Sequence, residues 1–511
     1  MESKKSSNKI TISRSALNRN NMPFIAPPQA PVISFADDEV IQITHSSEEA
    51  KAALSKNAKL NLSMRFAMNY LQLNSRENQE IPCELILEAV DEAGTSNPNA
   101  SRGRPGVDIV CAIDISGSMR GSKLDLVKRT LEFMIDKLSD NDRVSLVTFN
   151  NQSKRLCPLT AMTPQGKGRL RAIVGQIQAF AGTEIVEGLL TSLNILAQRR
   201  ITNSVSSIVL LSDGNDNNTH SAMGRTKSAL IEVGSLISSG YSIHTFGYGA
   251  DHDPNLLNSM AEEKNGGFYF VERDELIGEA FSSCLGELIS VVADNVQISL
   301  QTLQTDIRFA LTKVYSESGD QSFRFPPILS GDKKEAIFLL NFFPTIDAVP
   351  KGHQIQPVKA TVQYRLTRSG HVIREESFLQ IPIINESEIV NEIELDEDVM
   401  VNFYRVKAAD ILKEAGEYGE RNNMEAAREC LLRGANELKN CVVAGHEVIQ
   451  VLISDLEKAV NRFVSVDAWE HGGKAEMKSK ARNHWAKRGP DVASYQNCVQ
   501  KAFNLESKNY Y

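Results

Sequence analysis

Residues 107–119, VDIVCAIDISGSM, decide the fold of this 511-residue chain. Residues 107–115 are almost continuously apolar, which is typical of a central parallel strand with both faces covered. The run ends among polar residues, Asp114, Ser116 and Ser118. Because ligands of open α/β sheets bind beyond the carboxyl ends of the strands, the sequence predicts a site directly after this strand.

Strand-like and helical segments alternate along the chain after this run. Further strands are expected at 143–150, 206–213, 241–249 and 267–272. Helical patterns fall at 123–138, 166–178, 186–199, 221–238 and 254–264, with a last helix at 274–292. This alternation predicts an α/β fold with a doubly wound, mostly parallel, Rossmann-like sheet.

Period-two segments lie on both sides of the α/β region. Over residues 60–66 apolar side chains alternate with polar ones, as on a strand with one buried face. Similar alternation returns after residue 296. Since two strands alone cannot bury an apolar face, we expect strands within 58–93 to pair with a β-sandwich-like domain at 296–390. The α/β unit would then be an insertion into that β-domain.

The period becomes helical after residue 396. Apolar side chains recur three and four positions apart in three segments, which predicts a C-terminal helical bundle over 396–465. The two ends of the chain lack sustained periodicity. We therefore expect a disordered arm at 1–57 and a loosely ordered basic tail at 466–511.

Composition and charge restrict the class of protein. A net charge of −8 argues against nucleic acid as the main partner, because phosphate binding requires clustered Lys and Arg. No apolar run approaches the ~18 residues that cross a bilayer, and the polar N-terminus lacks the apolar core of a secretory signal. The seven cysteines include no Cys-x-x-Cys pair. We expect a cytoplasmic protein with reduced thiols and no transmembrane segment.

A second predicted strand also ends in an acid. Asp213 would lie beside Asp114 if the two strands are neighbours, and Thr183 precedes a helix that starts at the same edge. Carboxylate and hydroxyl oxygens are hard ligands, which suit Mg²⁺, Mn²⁺ or Ca²⁺ better than Zn²⁺. The alternative is that these three residues cap helix N-termini, where Asp and Thr are favoured.

The order Asp114-x-Ser116-x-Ser118, Thr183 and Asp213-Gly214 resembles the metal-ion-dependent adhesion site of von Willebrand factor type A domains. The resemblance covers 105–294. The segments that follow resemble, more loosely, the extension of inter-alpha-trypsin-inhibitor-like proteins and of intracellular relatives in protists and plants. The resemblance to the adhesion site implies a bound cation, Mg²⁺ or else Mn²⁺ or Ca²⁺, with the two serines and Thr183 as direct ligands. The two aspartates would bind it directly or through water.

The resemblance further implies a function in protein binding. One coordination position of the cation stays open for an Asp or Glu residue of a partner protein, so that the metal joins the two proteins. The partner is expected to contact a rim around the metal. We assign to this rim Gly117, Met119, Gly182, Gly214, Asp251 and His252.

Enzyme motifs do not compete with this interpretation. The sequence has no Walker loop, no Gly-x-Gly-x-x-Gly after the first α/β strand and no Gly-x-Ser-x-Gly elbow, so we expect a protein that is not an enzyme. Two alternatives stay open. One is a substrate-binding adaptor for ubiquitin ligation without its own RING domain, since plant relatives of this architecture carry a RING. The other, less favoured, is a metal-dependent phosphoesterase.

Overall fold

The structure is a computed structural model of the chain. It describes residues 36–37, 60–72, 77–89, 104–180, 182–237, 240–249, 252–272, 276–316, 319–344, 350, 352–384, 393–488 and 493–508. The arm predicted at 1–57 lies outside these ranges, apart from Ala36 and Asp37. Among the described residues, no helix combines the length and apolarity that crossing a bilayer requires.

The first three strands belong to a β-domain. They are β1 (Leu60–Phe66), β2 (Leu71–Gln72) and β3 (Gln79–Ala89). β1 pairs antiparallel with β3. The alternating sequence of β1 buries Leu60 and Phe66 and leaves Asn61 exposed, as expected for a strand with one face on a core.

An α/β domain follows. Its strands are β4 (Val107–Asp114), β5 (Arg143–Phe149), β6 (Ser153–Arg155), β7 (Thr160–Ala161), β8 (Val205–Ser212), β9 (Ser242–Tyr248) and β10 (Phe268–Val271). Its helices are α1 (Ser122–Lys137), α2 (Pro164–Gln176), α3 (Ile185–Gln198), α4 (Thr219–Glu232), α5 (Pro254–Glu263) and α6 (Ile277–Ser290). The strand order is β10-β9-β8-β4-β5-β6, with β7 also paired to β5. Only the short β6 and β7 run antiparallel, so the doubly wound, mostly parallel sheet is confirmed.

The central strands of this sheet are buried along their whole length. Every residue of β4, β5 and β8 is buried, because α1, α2 and α6 cover one face and α3, α4 and α5 cover the other. One acid, Asp108, interrupts the apolar run. Arg143 and Arg199 neutralise it with ion pairs of 2.8 and 2.6 Å, as a buried charge requires.

The chain returns to the β-domain after α6. The strands are β11 (Val291–Thr302), β12 (Phe309–Val314), β13 (Ser322–Phe325), β14 (Ile328–Leu329), β15 (Lys333–Phe342), β16 (Gln354–Ile355), β17 (Val358–Leu366), β18 (Val372–Phe378) and β19 (Ile381–Ile384). β15 pairs antiparallel with β3, so one sheet of order β1-β3-β15-β12 draws strands from both sides of the α/β domain. A second sheet, β13-β11-β17-β18 with β14 on β11, shares its apolar core. A small third sheet has the order β16-β19-β2.

The described residues after β19 are mainly helical. The helices are α7 (Glu397–Glu420), α8 (Met424–Lys439), α9 (Glu447–Val460), α10 (Val466–Ala468), α11 (Lys474–Ala486) and α12 (Cys498–Ser507). The first three pack on one another, and their apolar faces join the core of the β-domain.

The prediction of a loosely ordered tail at 466–511 is wrong. α11 packs on α7, and α12 packs on α6. Two of the basic residues that predicted a solvated segment, Arg482 and Arg488, are buried. Arg482 donates to the carbonyl oxygen of Gly266 at 2.7 Å, and Arg488 pairs with Glu287. Carbonyl groups and acids of the α/β domain take the place of water around these side chains, so a polar composition does not produce a solvated segment here.

Candidate metal centre

The candidate site lies where two central strands end. β4 and β8 pair in parallel, with Ile113 opposite Leu211. Asp114 is the last residue of β4, and Asp213 directly follows β8. Because neighbouring parallel strands end at the same edge of a sheet, the pairing brings both carboxylates to one edge, as the sequence predicts.

Hydroxyl and amide groups hold both carboxylates. The backbone NH of Ser116 donates to Asp114 Oδ1 at 2.8 Å, and Ser212 Oγ donates to Asp114 Oδ2 at 2.6 Å. Ser118 Oγ donates to Asp213 Oδ1 at 2.7 Å and lies 3.0 Å from Ser116 Oγ. These contacts join four of the five predicted ligands into one hydrogen-bonded cluster. Ser212 is an additional member that the sequence pattern did not identify.

The backbone after β4 explains why the two serines face the same way. Gly117–Met119 form a single 3₁₀ turn that starts from Ser116. The turn brings the hydroxyls of Ser116 and Ser118 side by side. The chain then reverses at Gly121, whose φ of +80° is a conformation that favours glycine, and α1 begins at the next residue.

The helix-cap alternative does not describe these residues. The N-cap residues of α1, α3 and α4 are Gly121, Glu184 and Asn218. Asp114, Thr183 and Asp213 occupy none of these positions, so their polar side chains are not explained by helix capping.

Asp114 is fully buried. Burial raises the pKa of its carboxyl to about 6. Hydrogen bonds from Ser212 and Ser116 favour the ionised form, and the neighbouring Asp213 carboxylate opposes it. A buried carboxylate whose donors are neutral gains most from a nearby cation, because the cation compensates the lost hydration of the charge.

The spacing of the oxygens fits a small divalent cation. Adjacent ligands of an octahedral Mg²⁺ at ~2.1 Å are about 3 Å from each other. The hydroxyls of Ser116 and Ser118 are 3.0 Å apart, and Ser118 Oγ lies 2.7 Å from the Asp213 carboxylate. Within the described ranges, no group of three His, Cys, Asp or Glu side chains is placed to hold a metal. This donor set consists of carboxylates and hydroxyls.

Thr183 approaches the site on the loop that precedes α3. Its hydroxyl faces Gly214, where an added Cβ would lie 3.5 Å from Thr183 Oγ1. The loop is fixed by the backbone NH of Asn217, which donates to the Thr183 carbonyl at 2.8 Å. Gly182 has a φ of +96° and touches the side chain of Asn151 so closely that a Cβ would collide with it. Glycine is therefore favoured at position 182, directly before the residue that brings this hydroxyl to the edge.

The six predicted rim residues fall into two groups. The three glycines, Gly117, Gly182 and Gly214, are half-buried at the edge. Met119 and His252 are buried, so the prediction that they contact a partner is wrong. Met119 belongs to the core of the α/β domain, and the Nδ1 atom of His252 lies 2.8 Å from the Gly249 carbonyl oxygen. Asp251 lies outside the described residues.

Two further side chains at this edge were not predicted. Lys123 of α1 forms an ion pair with Asp213 Oδ2. Phe180 is 54% exposed, and its backbone NH donates to the Ile115 carbonyl at 2.6 Å, which holds the residue beside the site. The sequence contained one indication that Lys123 is unusual. It is a positively charged residue in the first turn of a helix, where acidic residues are favoured. Phe180 lies in a loop without a sequence pattern.

Comparison with known proteins agrees with the observed fold. The model of the von Willebrand factor type A domain family matches residues 108–282. E3 ubiquitin-protein ligase WAV3 of Arabidopsis thaliana is 27% identical over 338 residues, which are 64% of this chain and 43% of the ligase. Human inter-alpha-trypsin inhibitor heavy chain H4 is 30% identical over 167 residues, 31% of this chain and 17% of that protein. This chain thus spans less than half the length of either relative.

A solved structure resembles more of the chain. The crystal structure of the ArnB paralog VWA2 from Sulfolobus acidocaldarius superposes with a TM-score of 0.53 and 15% sequence identity. The match covers 84% of this chain and 100% of that one. At this identity the likeness shows the fold alone.

Proposed function

Because this chain contains a von Willebrand factor type A domain at residues 108–282, we propose that it binds a partner protein through a divalent cation at the edge described above. The observation that carries the proposal is the convergence of oxygen atoms there. The hydroxyls of Ser116 and Ser118 lie 3.0 Å apart, and Ser118 Oγ is 2.7 Å from the carboxylate of Asp213. Asp114 adds a second, fully buried carboxylate.

In the proposed site, Ser116, Ser118 and Thr183 bind the cation directly, and Asp114 and Asp213 bind it directly or through water. The cation is Mg²⁺, for which Mn²⁺ or Ca²⁺ can substitute, because all the donors are hard oxygen atoms. When bound, the cation supplies Lewis acidity for a carboxylate ligand.

The charge balance of this set favours an acidic partner residue. Two carboxylates neutralise the two positive charges of the cation, and the hydroxyls add no charge. The bound cation therefore retains attraction for one more carboxylate, from an Asp or Glu of the partner. The rim glycines Gly117, Gly182 and Gly214 have no side chains to obstruct that approach.

Phe180 extends the proposed binding surface beyond the cation. Its ring is 54% exposed, while its backbone is fixed through the Ile115 carbonyl. Rigidly held aromatic side chains are frequent anchors of protein interfaces. We propose that an apolar residue of the partner, close in sequence to the acid, packs on this ring.

Adaptor function in ubiquitin ligation is a second candidate. It is favoured by the similarity to the Arabidopsis ligase, which extends over 64% of this chain and so beyond the α/β domain. These 511 residues contain no Cys-x-x-Cys pair of the kind that zinc-binding RING domains use. On this proposal the catalytic ligase is another chain, and its co-purification with this protein would distinguish an adaptor from a binding module of another pathway.

We further propose a reducing compartment, the cytosol, as the location. All seven cysteines have free thiols in the structure, and five of them are buried. A thiol buried in this way packs as a small apolar side chain.

Binding of a protein partner, without catalysis by this chain, is the activity that we assign to the site.

Affinity purification of the tagged full chain tests the proposal. Partner proteins should be retained in Mg²⁺ and lost in EDTA, and Asp114→Ala should lose the same proteins in Mg²⁺. The matched control is Asp125→Ala, because Asp125 is an exposed acid of α1; this variant should retain them. Partners that stay bound in EDTA and to Asp114→Ala would refute metal-dependent binding.

A further inference from the structure

Lys123 occupies an unfavourable position for a lysine. It is the second residue of α1, where the unpaired backbone NH groups of the helix favour negative charge. Its side chain does not extend into solvent: it is 31% exposed and forms an ion pair with Asp213 Oδ2. The contact with the acid therefore offsets the unfavourable position in the helix.

When no metal ion is bound, the contact with Lys123 compensates the buried negative charge of Asp213. Its side chain is 0% exposed. One carboxylate oxygen accepts from the neutral hydroxyl of Ser118, and the other is paired with Lys123. An ionised carboxylate buried without a counter-charge is strongly destabilising, so the lysine compensates the charge of the candidate metal ligand.

From this geometry we propose that Lys123 is a built-in competitor of the divalent cation: it neutralises Asp213 when the site holds no metal and must be displaced when metal binds. The inference rests on the proposed function, because it concerns the same site. A cation bound at Ser118 and Asp213 would share the Asp213 carboxylate with the lysine, and two cations so close repel each other. The long, flexible stem of lysine lets its ammonium group move into water, where it is well hydrated.

The consequence is a threshold for metal binding. Because Lys123 must be displaced, the affinity of the site for the divalent cation is lower. The site is therefore occupied only above a minimum metal concentration. The metal-free form stays folded because its buried acid remains paired. Partner binding is then controlled by the supply of metal, and a change at Lys123 that removes its positive charge lowers the threshold.

Metal titration of the full chain tests this role of Lys123. We would measure Mn²⁺ binding, from the electron paramagnetic resonance signal of free Mn²⁺, for the natural protein, Lys123→Met and the control Lys128→Met. Lys128 lies on the same helix and forms no ion pair among the described residues. Lys123→Met should bind Mn²⁺ about 10- to 100-fold more tightly, the range that one charge-assisted hydrogen bond contributes. Lys128→Met should bind like the natural protein.

Thermal unfolding in EDTA gives a second readout that does not depend on the partner. Lys123→Met should unfold at a lower temperature than the natural protein, Mg²⁺ should restore it, and the added change Asp213→Asn should restore it without metal. Measurable Mn²⁺ binding with equal or weaker affinity in Lys123→Met would overturn the role of Lys123 and leave the proposed function standing. The absence of Mn²⁺ binding in all three proteins would overturn the metal site itself, and the competition with it.

Discussion

Glutamine in place of Glu84 should stabilise the protein above neutral pH and have little effect below about pH 4. Glu84 is a residue of β3 that is fully buried under α7. Asn402 donates to its Oε1 atom at 2.8 Å, while the Oε2 atom has no hydrogen-bond partner among the described residues. A glutamine keeps the acceptor for Asn402 and removes the charge.

The size of the effect follows from the pKa of this carboxyl. Burial, with the neighbouring Glu335 carboxylate, raises the pKa of Glu84 from 4.5 to about 7, although the Asn402 hydrogen bond opposes the shift. Between these two values the folded protein keeps a proton that the unfolded chain has released, so the free energy of unfolding falls as the pH rises. The full penalty, about 3 kcal/mol, is present above pH 7 and is absent below about pH 4.

Urea unfolding across this pH range measures the effect. Tryptophan fluorescence is a suitable probe, because the backbone carbonyl of Trp485, one of two tryptophans, accepts from Arg405, which in turn contacts Asn402. The control is Glu88→Gln, an exposed position on the same strand, which should leave the pH dependence unchanged. Equal stabilities of Glu84→Gln and the natural protein near pH 8, or an equal loss at every pH, would refute the assignment of a raised pKa to this residue.

Further predictions concern the binding surface, a buried acid and the C-terminal helix. Phe180→Ser should weaken partner binding about tenfold in a pull-down titration without changing Mn²⁺ affinity; equal partner affinity would remove Phe180 from the interface. Burial opposes ionisation of Asp455, but the hydrogen bond from His484 and nearby cations lower its pKa to about 2. Asp455→Asn should therefore cost about 2 kcal/mol at pH 7, a difference that disappears as the pH falls from about 4 to 2; a constant difference in acid unfolding would contradict this. Phe503→Ala should cost about 3 kcal/mol in urea unfolding, since the ring packs edge-on against Phe133; a loss under about 0.5 kcal/mol would mean that α12 is not docked.

The central sheet was predictable because its strands carry an unambiguous sequence pattern. Apart from Asp108 and Asp114, the residues of β4 are apolar on both faces, which is typical of a parallel strand covered on both sides. Asp114 and Asp213 could be located for the same reason, since each follows such a strand. The serines came from the spacing around Asp114, and the family resemblance gave that spacing a chemical meaning.

The last two helices, α11 and α12, were not predictable from periodicity, in contrast to the three helices before them. α11 contacts other elements on several sides, so its buried positions do not form one apolar stripe. Its Arg482 is buried among backbone carbonyls of the α/β domain, an environment that exists only after the chain has folded. The sequence alone shows a basic residue, and a basic residue usually indicates solvent.

The details of the site escaped prediction for a similar reason. His252 follows a strand of the α/β domain, but its ring packs beside Phe268 instead of facing outward. In the sequence, Lys123 resembles an ordinary exposed lysine of a helix. Only in the folded domain does Asp213, which follows β8, come into contact with it. In both cases a contact between residues distant in sequence, or the packing of a loop, determines where a side chain lies.

The most direct test of metal binding is an anomalous difference map from crystals of the full chain grown with MnCl₂. We expect one peak within bonding distance of the hydroxyls of Ser116 and Ser118, with the ammonium group of Lys123 moved away from Asp213. A map without a peak at these oxygens, with Lys123 still paired to Asp213 at saturating Mn²⁺, would contradict it.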